Sequence, residues 1–473
     1  MRNLPTELWT WDAVDLAQGI RTGAIGARQA TEACLQRLEA VNPRLNAVVQ
    51  VTAETALAEA DAADAAVRRG DALGPLHGVP VTTKINVDFA GLPNTNGCVP
   101  LANNLAPADS PVVANLRRAG AVFLGRTNTP ALSMRWFTEN ALHGRTLNPF
   151  SAGHTPGGSS GGAAAALAAG IGPIAHGNDL GGSIRYPAYA CGVAGLRPSF
   201  GRVPAYNPSL AAERPLSGQL MSTQGPLARR VRDLRLALAA MAQPDARDPW
   251  QMPVPLDGPA LPGPLKVAFC PDPMGTGVHP AVRAAVIQAA AWLEQAGYRP
   301  EEAAPPDFAA VARDWDAFSH GEAQLFMAES FERLADEGAR ATFGYMVKHT
   351  PPADLRGHLQ LMARRTTHQR AWAAFMAQYP LLLCPVSAEP PFPQGLDLDG
   401  QQGFDRVYAA QQPLLATPLL GLPSVSVPTG LTAEGLPMGV QIIAPRWRED
   451  LGLAAAEVVE ARAPMPTPID PRG

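Results

Sequence analysis

Residues 155–162 read Thr-Pro-Gly-Gly-Ser-Ser-Gly-Gly, and residues 177–185 read Gly-Asn-Asp-Leu-Gly-Gly-Ser-Ile-Arg. Glycine lacks the Cβ atom that restricts the backbone, so a serine between glycines can sit on a tight turn with neighbouring N–H groups facing inward. Such N–H groups can stabilise the oxyanion formed during acyl transfer. The two segments therefore indicate a nucleophilic serine with an oxyanion hole. A phosphate-binding loop is an alternative, but neither segment has the Gly-Lys-Ser/Thr ending of a P-loop.

A serine hydroxyl needs a base to become a good nucleophile. Four histidines are candidates, but none belongs to a motif that explains the glycine–serine pattern: His77, His143, His154 and His176. Lys84 ends the apolar segment Gly-Val-Pro-Val-Thr-Thr-Lys, and burial can turn a lysine into a base. Ser–Lys variants of the serine triad exist. Taken alone, however, Lys84 is better interpreted as a surface lysine, so the residues by themselves leave the base open.

Together these motifs resemble the amidase signature family, whose hallmark is Gly-Gly-Ser-Ser-Gly-Gly followed by Asp-x-Gly-Gly-Ser-[Ile/Val]-Arg. Further matches in the same order cover nearly the whole chain except about 245–375. The resemblance implies a triad in which Lys84 is the base, Ser159 relays the proton and Ser183 is the nucleophile. It implies a cis peptide bond before Ser159 and a substrate contact at Ser133. The backbone N–H groups of the implied oxyanion hole belong to Leu180, Gly181, Gly182 and Ser183.

The implied reaction is hydrolysis of a carboxylic amide through an acyl-enzyme on Ser183, releasing ammonia or an amine, with no metal and no other cofactor. The apolar and aromatic residues of 307–378 favour an aryl or alkyl amide as the small-molecule partner. Carbamates and nylon-type or cyclic amides stay open as substrates of the same triad. So does a role as the glutaminase subunit of a tRNA-dependent amidotransferase. A non-catalytic binding protein is the third alternative, and a homodimer is a permitted assembly.

Composition excludes several other classes. Of the 473 residues, 46% are hydrophobic and 17% charged, which is typical of a globular chain. The net charge of −4 provides no basic surplus for nucleic acid or an anionic membrane. The five scattered cysteines form no C-x-x-C pair, which argues against disulfides or a zinc site. The N-terminus lacks a signal-peptide layout, and the apolar stretch 163–175 is shorter than the ~20 residues of a membrane span. We therefore expect a cytoplasmic protein without membrane or nucleic-acid partners.

From about residue 76, short β-rich runs alternate with helical stretches, which predicts an α/β fold with a largely parallel or mixed sheet. The resemblance implies a central mixed, mostly parallel sheet with helices on both faces. Residues 12–70, 231–241 and 307–378 have helical patterns. We expect one domain over 1–473. Its parts are a signature core at about 76–235, a helical substrate-shaping region at about 245–378 and C-terminal strands at about 380–445.

Overall fold

The computed structural model describes residues 6–350, 352–463 and 465–472. Its strands are β1 Val48–Val51, β2 Pro80–Lys84, β3 Val122–Thr127, β4 Glu139–Asn140, β5 Gly144–Arg145, β6 Ile174–Asp179, β7 Ala194–Arg197, β8 Thr223–Ala228, β9 Lys266–Phe269, β10 Arg299–Glu302, β11 Leu381–Pro385, β12 Ser424–Leu431 and β13 Pro437–Ile443. Its α-helices are α1 Ala13–Arg21, α2 Ala27–Leu45, α3 Ala53–Arg69, α4 Pro111–Arg118, α5 Gly161–Ala168, α6 Arg185–Ala190, α7 Leu216–Met221, α8 Val231–Met241, α9 Pro280–Gln295, α10 Phe308–Phe326, α11 Ala328–Leu334, α12 Glu337–His349, α13 Leu355–Gln378, α14 Gly400–Gln411, α15 Ala416–Leu420 and α16 Glu449–Arg462.

One sheet of eleven strands runs through the molecule in the order β1-β3-β2-β6-β8-β7-β12-β13-β11-β9-β10. Parallel pairings join β3 to β2, β2 to β6, β11 to β9 and β9 to β10. The remaining neighbours are antiparallel. The predicted α/β fold with a mixed central sheet is confirmed. Antiparallel pairs have a larger share than the sequence suggested, because strands such as β12 and β13 are joined by a short turn that needs no crossover helix.

Helices cover both faces of this sheet, as predicted. Successive side chains of a strand point to opposite faces, and on β11 Leu381 and Leu383 join one apolar cluster whereas Leu382 and Cys384 join another. The first cluster includes side chains of α4, α8, α9 and α16. The opposite face packs against α10 and α13 at one end and against α2 and α5 at the other. The sheet is therefore buried on both sides, and the ends of its strands are left to form sites.

The helical predictions for 231–241 and 307–378 are confirmed by α8 and by α10 to α13. Within 12–70 the prediction was incomplete, because β1 interrupts the helices and pairs with β3. Strands from the core, the helical region and the C-terminal part all join the one sheet. The described ranges leave out residues 1–5, 351, 464 and 473 of the expected single domain. Residues 1–5 also begin the N-terminal segment in which we looked for a signal peptide. The single domain stays a prediction.

Candidate active site

Lys84 is the last residue of β2, and its side chain is completely buried. Its Nζ lies 2.7 Å from the Oγ of Ser159 and 2.8 Å from the Oδ1 of Asn178. Burial holds the pKa of the Lys84 ammonium well below its ordinary value, although the charge of Asp179 acts in the opposite direction. A lysine with so low a pKa can be neutral and accept a proton near neutral pH.

Asn178 was not singled out from the sequence, although it lies within the second glycine-rich segment. Its Oδ1 accepts from Lys84 Nζ, and its Nδ2 donates to Asn86 Oδ1 at 2.9 Å. Asn86 Nδ2 donates in turn to Ser133 Oγ at 3.0 Å. This chain of amides fixes the position of the lysine amine and connects it to Ser133.

Ser159 lies on the loop before α5, which packs tightly against its surroundings. A Cβ atom at Gly158 would lie 2.4 Å from the carbonyl oxygen of Arg135, so this position has no room for a side chain. The peptide bond between Gly158 and Ser159 is cis, as predicted. The next N–H, of Ser160, donates to the carbonyl oxygen of Ser183 at 3.2 Å. The two glycine-rich segments are thus joined directly at their serines.

Ser183 follows β6 on a tight turn and is partly exposed to a cavity. Gly182 before it has φ +98°, and a Cβ there would lie 2.4 Å from Leu414 Cδ1, so the turn requires glycine. Among the described residues the Oγ of Ser183 has no hydrogen-bond partner. The backbone bond to Ser160 therefore holds Ser183 beside Ser159, and its hydroxyl is free to meet a substrate.

The N–H groups of the turn have two different environments. Gly182 N–H donates to Asp179 Oδ1 at 2.8 Å, so it is not available to an oxyanion, in contrast to the expectation from the resemblance. Within residues 6–350, 352–463 and 465–472, the N–H groups of Leu180, Gly181 and Ser183 have no protein acceptor. Three of the four expected donors therefore remain free.

Asp179 holds the backbone of this turn through its carboxylate. Its carboxylate also accepts from the N–H of Ile184 at 3.2 Å and forms a two-pronged ion pair with Arg185, both bonds being 3.0 Å long. Burial acts to raise the pKa of Asp179, but Arg185 and Arg197 outweigh it and hold the pKa far below its ordinary value. A permanently ionised carboxylate thus organises the turn, which agrees with a structural role for this pair.

Two tryptophans fix the peptide planes of the turn from the cavity side. Trp315 Nε1 donates to Leu180 O at 3.0 Å, and Trp136 Nε1 donates to Gly181 O at 2.9 Å. In a trans peptide the C=O and the following N–H point in opposite directions. Trp315 therefore orients the free N–H of Gly181, whereas Trp136 orients the N–H of Gly182 that Asp179 already binds.

His176 lies on β6 beside Lys84, but it is not placed to accept a proton instead of Lys84. Its Nδ1 accepts from the backbone N–H of Lys84 at 3.4 Å, so Nε2 carries the hydrogen and donates to Gln224 Oε1 at 2.8 Å. Burial lowers the pKa of His176 to about 4. Both ring nitrogens are occupied, and the amine of Lys84 is the buried basic group that contacts Ser159.

The cavity in front of Ser183 is largely apolar. Its aromatic lining consists of Trp136, Trp315, Phe331, Phe343, Phe404 and Tyr408. Three of these come from the region 307–378, as the composition of that region suggested. Phe404 and Tyr408 belong to α14, within the part predicted as C-terminal strands. Their spacing of four residues could have indicated one face of a helix.

Ser133, for which the resemblance implies a substrate contact, also lines the cavity. It has a positive φ of 58°. Its Oγ donates to Asn96 Oδ1 at 2.7 Å, in addition to its bond with Asn86. The hydroxyl is therefore held within the protein. Its contact with a substrate stays a prediction.

Sequence comparison matches almost the whole chain to known proteins. The sequence profile of the Amidase family matches residues 29–453. An indoleacetamide hydrolase from Bradyrhizobium diazoefficiens is 47% identical over 96% of this chain and 87% of its own. A glutamyl-tRNA(Gln) amidotransferase subunit from Picosynechococcus is 34% identical over 89% of this chain and 92% of its own.

Solved structures show the same architecture. The 6-aminohexanoate cyclic dimer hydrolase superposes with a TM-score of 0.83 at 29% identity, over 97% of this chain and 98% of that chain. In the described ranges no helix is both long and apolar enough to cross a membrane. The fold, the matched profile and the relatives agree with the glycine–serine segments. The chain belongs to the amidase signature family and is an amidase, a hydrolase of carboxylic amide bonds.

Proposed function

We propose that this amidase hydrolyses primary amides of arylacetic acids, of which indole-3-acetamide is the type, to the acid and ammonia. The observation that carries the proposal is the cavity of six aromatic side chains that ends at Ser183. Flat aromatic groups pack favourably against such a lining. The relative with 47% identity that is named as an indoleacetamide hydrolase supports the same choice of acyl group.

The proposed reaction begins with neutral Lys84. One N–H of its amine donates to Asn178 Oδ1, and Nζ lies 2.7 Å from Ser159 Oγ, close enough for the lone pair of the neutral amine to accept the hydroxyl proton of Ser159. Ser183 Oγ turns toward Ser159 and bonds to the amide carbon, while the proton of Ser183 passes to Ser159 and that of Ser159 to Lys84. The carbonyl electrons move to the oxygen, where the N–H groups of Leu180, Gly181 and Ser183 bind the negative charge.

The intermediate then collapses to the acyl-enzyme. The C–N bond breaks, and the proton held by Lys84 returns through Ser159 to the nitrogen, which leaves as ammonia. A water molecule attacks the ester carbon and gives its proton to the same relay. The Ser183–carbon bond breaks, the proton returns to Ser183, and the carboxylic acid is released. The three side chains are regenerated, so the cycle balances.

The glutaminase alternative fits the cavity less well. Free glutamine carries an ammonium and a carboxylate, which need charged partners when they are taken out of water. The charged side chains that line this cavity, Arg135 and Asp397, bind each other through two bonds of 2.8 and 2.9 Å. Carbamates and cyclic amides also have a carbonyl group that Ser183 can attack. An activity assay distinguishes them from arylacetamides as substrates.

We further propose that the protein acts in the cytoplasm. All five cysteines are buried and free, which is typical of proteins in a reducing compartment. A homodimer stays a prediction, and light scattering of the purified protein tests it.

The proposed function is tested with purified protein and a panel of amides. The panel contains indole-3-acetamide, phenylacetamide, an aliphatic amide, glutamine, a carbamate and a cyclic amide, with acid measured by chromatography and ammonia by a coupled assay. We expect kcat/KM to be highest for the arylacetamides and activity to vanish in Ser183→Ala. A higher kcat/KM for glutamine, the carbamate or the cyclic amide would reject the proposed acyl group. Full activity of Ser183→Ala would reject the proposed nucleophile.

A further inference from the structure

The aromatic part of the cavity contains one imidazole that the proposed mechanism does not use. His320 lies on α10, lines the same cavity as Ser183, and is 7% exposed. Its ring contacts Trp315, with centroids 5.3 Å apart, and Tyr408, with centroids 5.9 Å apart. A buried polar atom without a partner is costly, so the surroundings of the two ring nitrogens indicate what the histidine does.

The inner nitrogen is held by a carboxylate. His320 Nδ1 is buried in close contact with Asp316 Oδ1, one helical turn earlier. Burial acts to raise the pKa of Asp316, but the neighbouring His320 ring and the hydrogen bond from Thr350 Oγ1 outweigh it and hold the pKa below its ordinary value. An ionised carboxylate can only accept, so Nδ1 carries a hydrogen. In the neutral ring the lone pair is then on Nε2.

The outer nitrogen faces the cavity. Among the described residues, Nε2 has no hydrogen-bond partner. The His320 side chain is 8% exposed, and none of that exposure is at Nδ1, which is buried. Most other polar groups of the lining are already paired. Thr342 Oγ1 donates to the carbonyl oxygen of Gly338 at 3.1 Å. Apart from Ser183, the described lining side chains that keep an unpaired polar atom are His320, Ser319, Tyr408 and Arg135. The guanidinium only donates and the two hydroxyls carry a hydrogen of their own, so His320 Nε2 is the acceptor among them that has no hydrogen.

We propose that His320 Nε2 accepts a hydrogen bond from a ring N–H of the acyl group, so that N–H heteroaromatic acetamides are selected over isosteric rings without that donor. This inference rests on the proposed function, because it presumes that an aryl group occupies the cavity. Asp316 is a positioning residue, since it holds the tautomer that leaves Nε2 as an acceptor. An aromatic cavity with one fixed acceptor binds an indole or pyrrole better than a benzofuran, whose oxygen would face the Nε2 lone pair.

The test compares two substrates of equal shape, indole-3-acetamide and benzofuran-3-acetamide. For the wild-type protein we expect kcat/KM to favour the indole by about 10- to 100-fold, the effect of leaving a buried acceptor unpaired. In His320→Leu the ratio should fall below about threefold, mainly through loss of indole activity. Ser319→Ala is the matched control, and its ratio should remain within about threefold of the wild-type ratio.

Three results would overturn the inference: a wild-type ratio near one or in favour of benzofuran, an unchanged ratio in His320→Leu, or loss of the ratio in Ser319→Ala. Labelling of Ser183 by a fluorophosphonate at the wild-type rate verifies that each variant is folded. If His320→Leu is not folded, proton NMR of indole-3-acetamide bound to Ser183→Ala replaces it. A downfield shift of the indole N–H supports the bond to His320, and an unshifted proton rejects it.

The experiment separates this inference from the proposed function. If the wild-type protein hydrolyses neither arylacetamide but cleaves another amide of the panel, the proposed acyl group is wrong and the role of His320 falls with it. If it hydrolyses both arylacetamides equally, the proposed function stands and only the role of His320 is rejected.

Discussion

The glycine–serine core and the helical region 307–378 meet at one cavity but are stabilised differently. Around Ser183 the backbone is held by hydrogen bonds to fully buried charges, as in the Asp179–Arg185 pair with both side chains 0% exposed. In the helical region the cavity wall consists of ring contacts such as Phe331 against Phe343, with centroids 4.1 Å apart. Hydrogen bonds fix direction, whereas apolar contacts fix only shape. Changes in the core should therefore affect kcat, and changes in the helices should affect substrate preference.

The largest expected effect is that of removing the nucleophile. Ser183→Ala should lower kcat for indole-3-acetamide on the order of 10⁵- to 10⁶-fold, as removal of one member of a serine triad does. Lys84→Ala should be nearly as severe, and Ser159→Ala should leave residual activity. Because the three act as a unit, the Ser183→Ala/Lys84→Ala double variant should lose little beyond Ser183→Ala. Steady-state kinetics measures each value, and additive losses would contradict a relay.

A smaller effect on kcat is expected where the helical region contacts the core. Trp315→Phe keeps the ring but removes the N–H that orients the free N–H of Gly181. We expect kcat to fall about 10-fold, less than the 10²- to 10³-fold of deleting an oxyanion donor. Trp136→Phe is the matched control, because Asp179 still holds the peptide plane that Trp136 contacts; its kcat should change by less than about threefold. Equal losses in the two variants would reject a special role for the Gly181 N–H.

The same contrast explains what the sequence could reveal. The two serines and their turn lie in local glycine-rich motifs, so the residues themselves indicated them. Lys84 was predicted only through the family resemblance, and the structure places its Nζ 2.7 Å from Ser159 Oγ. Asn178 and the capture of Gly182 by Asp179 depend on side-chain directions across neighbouring elements, which no local pattern specifies. In the helical region, apolar spacing predicts helices correctly but does not say which face meets the cavity.

Some strands also lack a local signal in the sequence. β7 reads Ala-Gly-Leu-Arg and β10 reads Arg-Pro-Glu-Glu, and neither has the β-branched residues that mark a strand. β7 is a strand because it pairs on both sides within the buried sheet, with β8 and β12. Such tertiary pairing overrides the local preference, so these elements could not be read from the sequence alone.

A third prediction concerns stability and its dependence on pH. Burial holds the pKa of Lys84 well below its ordinary value in the folded protein, whereas in the unfolded chain it returns to about 10.4. Between those two values the unfolded state binds one more proton at this site, so this site makes the free energy of unfolding rise with pH.

Lys84→Met removes that contribution and the buried amine. At pH 7 the variant should melt a few degrees higher than the wild-type protein, at about 1 °C per kcal/mol of added stability for a chain of this length. The gap should close as the pH approaches about 10. Scanning calorimetry from pH 6 to 10 measures both Tm values. A variant with a lower Tm throughout would show that the lysine stabilises the core rather than straining it.

The smallest effect is expected at the end of α10, where the helix leaves the cavity. Phe326 is an aromatic of the same helix as Trp315, and the sequence does not distinguish them, but Phe326 is 68% exposed. Phe326→Ser should therefore change the free energy of unfolding by less than about 0.5 kcal/mol and leave kcat/KM unchanged. Phe318→Ala, at a fully buried position of that helix, is the control and should cost about 3–5 kcal/mol. Denaturant unfolding of both variants checks this. A large loss of unfolding free energy in Phe326→Ser would mean that the exposed end of α10 is covered in solution. The cavity wall would then extend further along α10 than its aromatic lining.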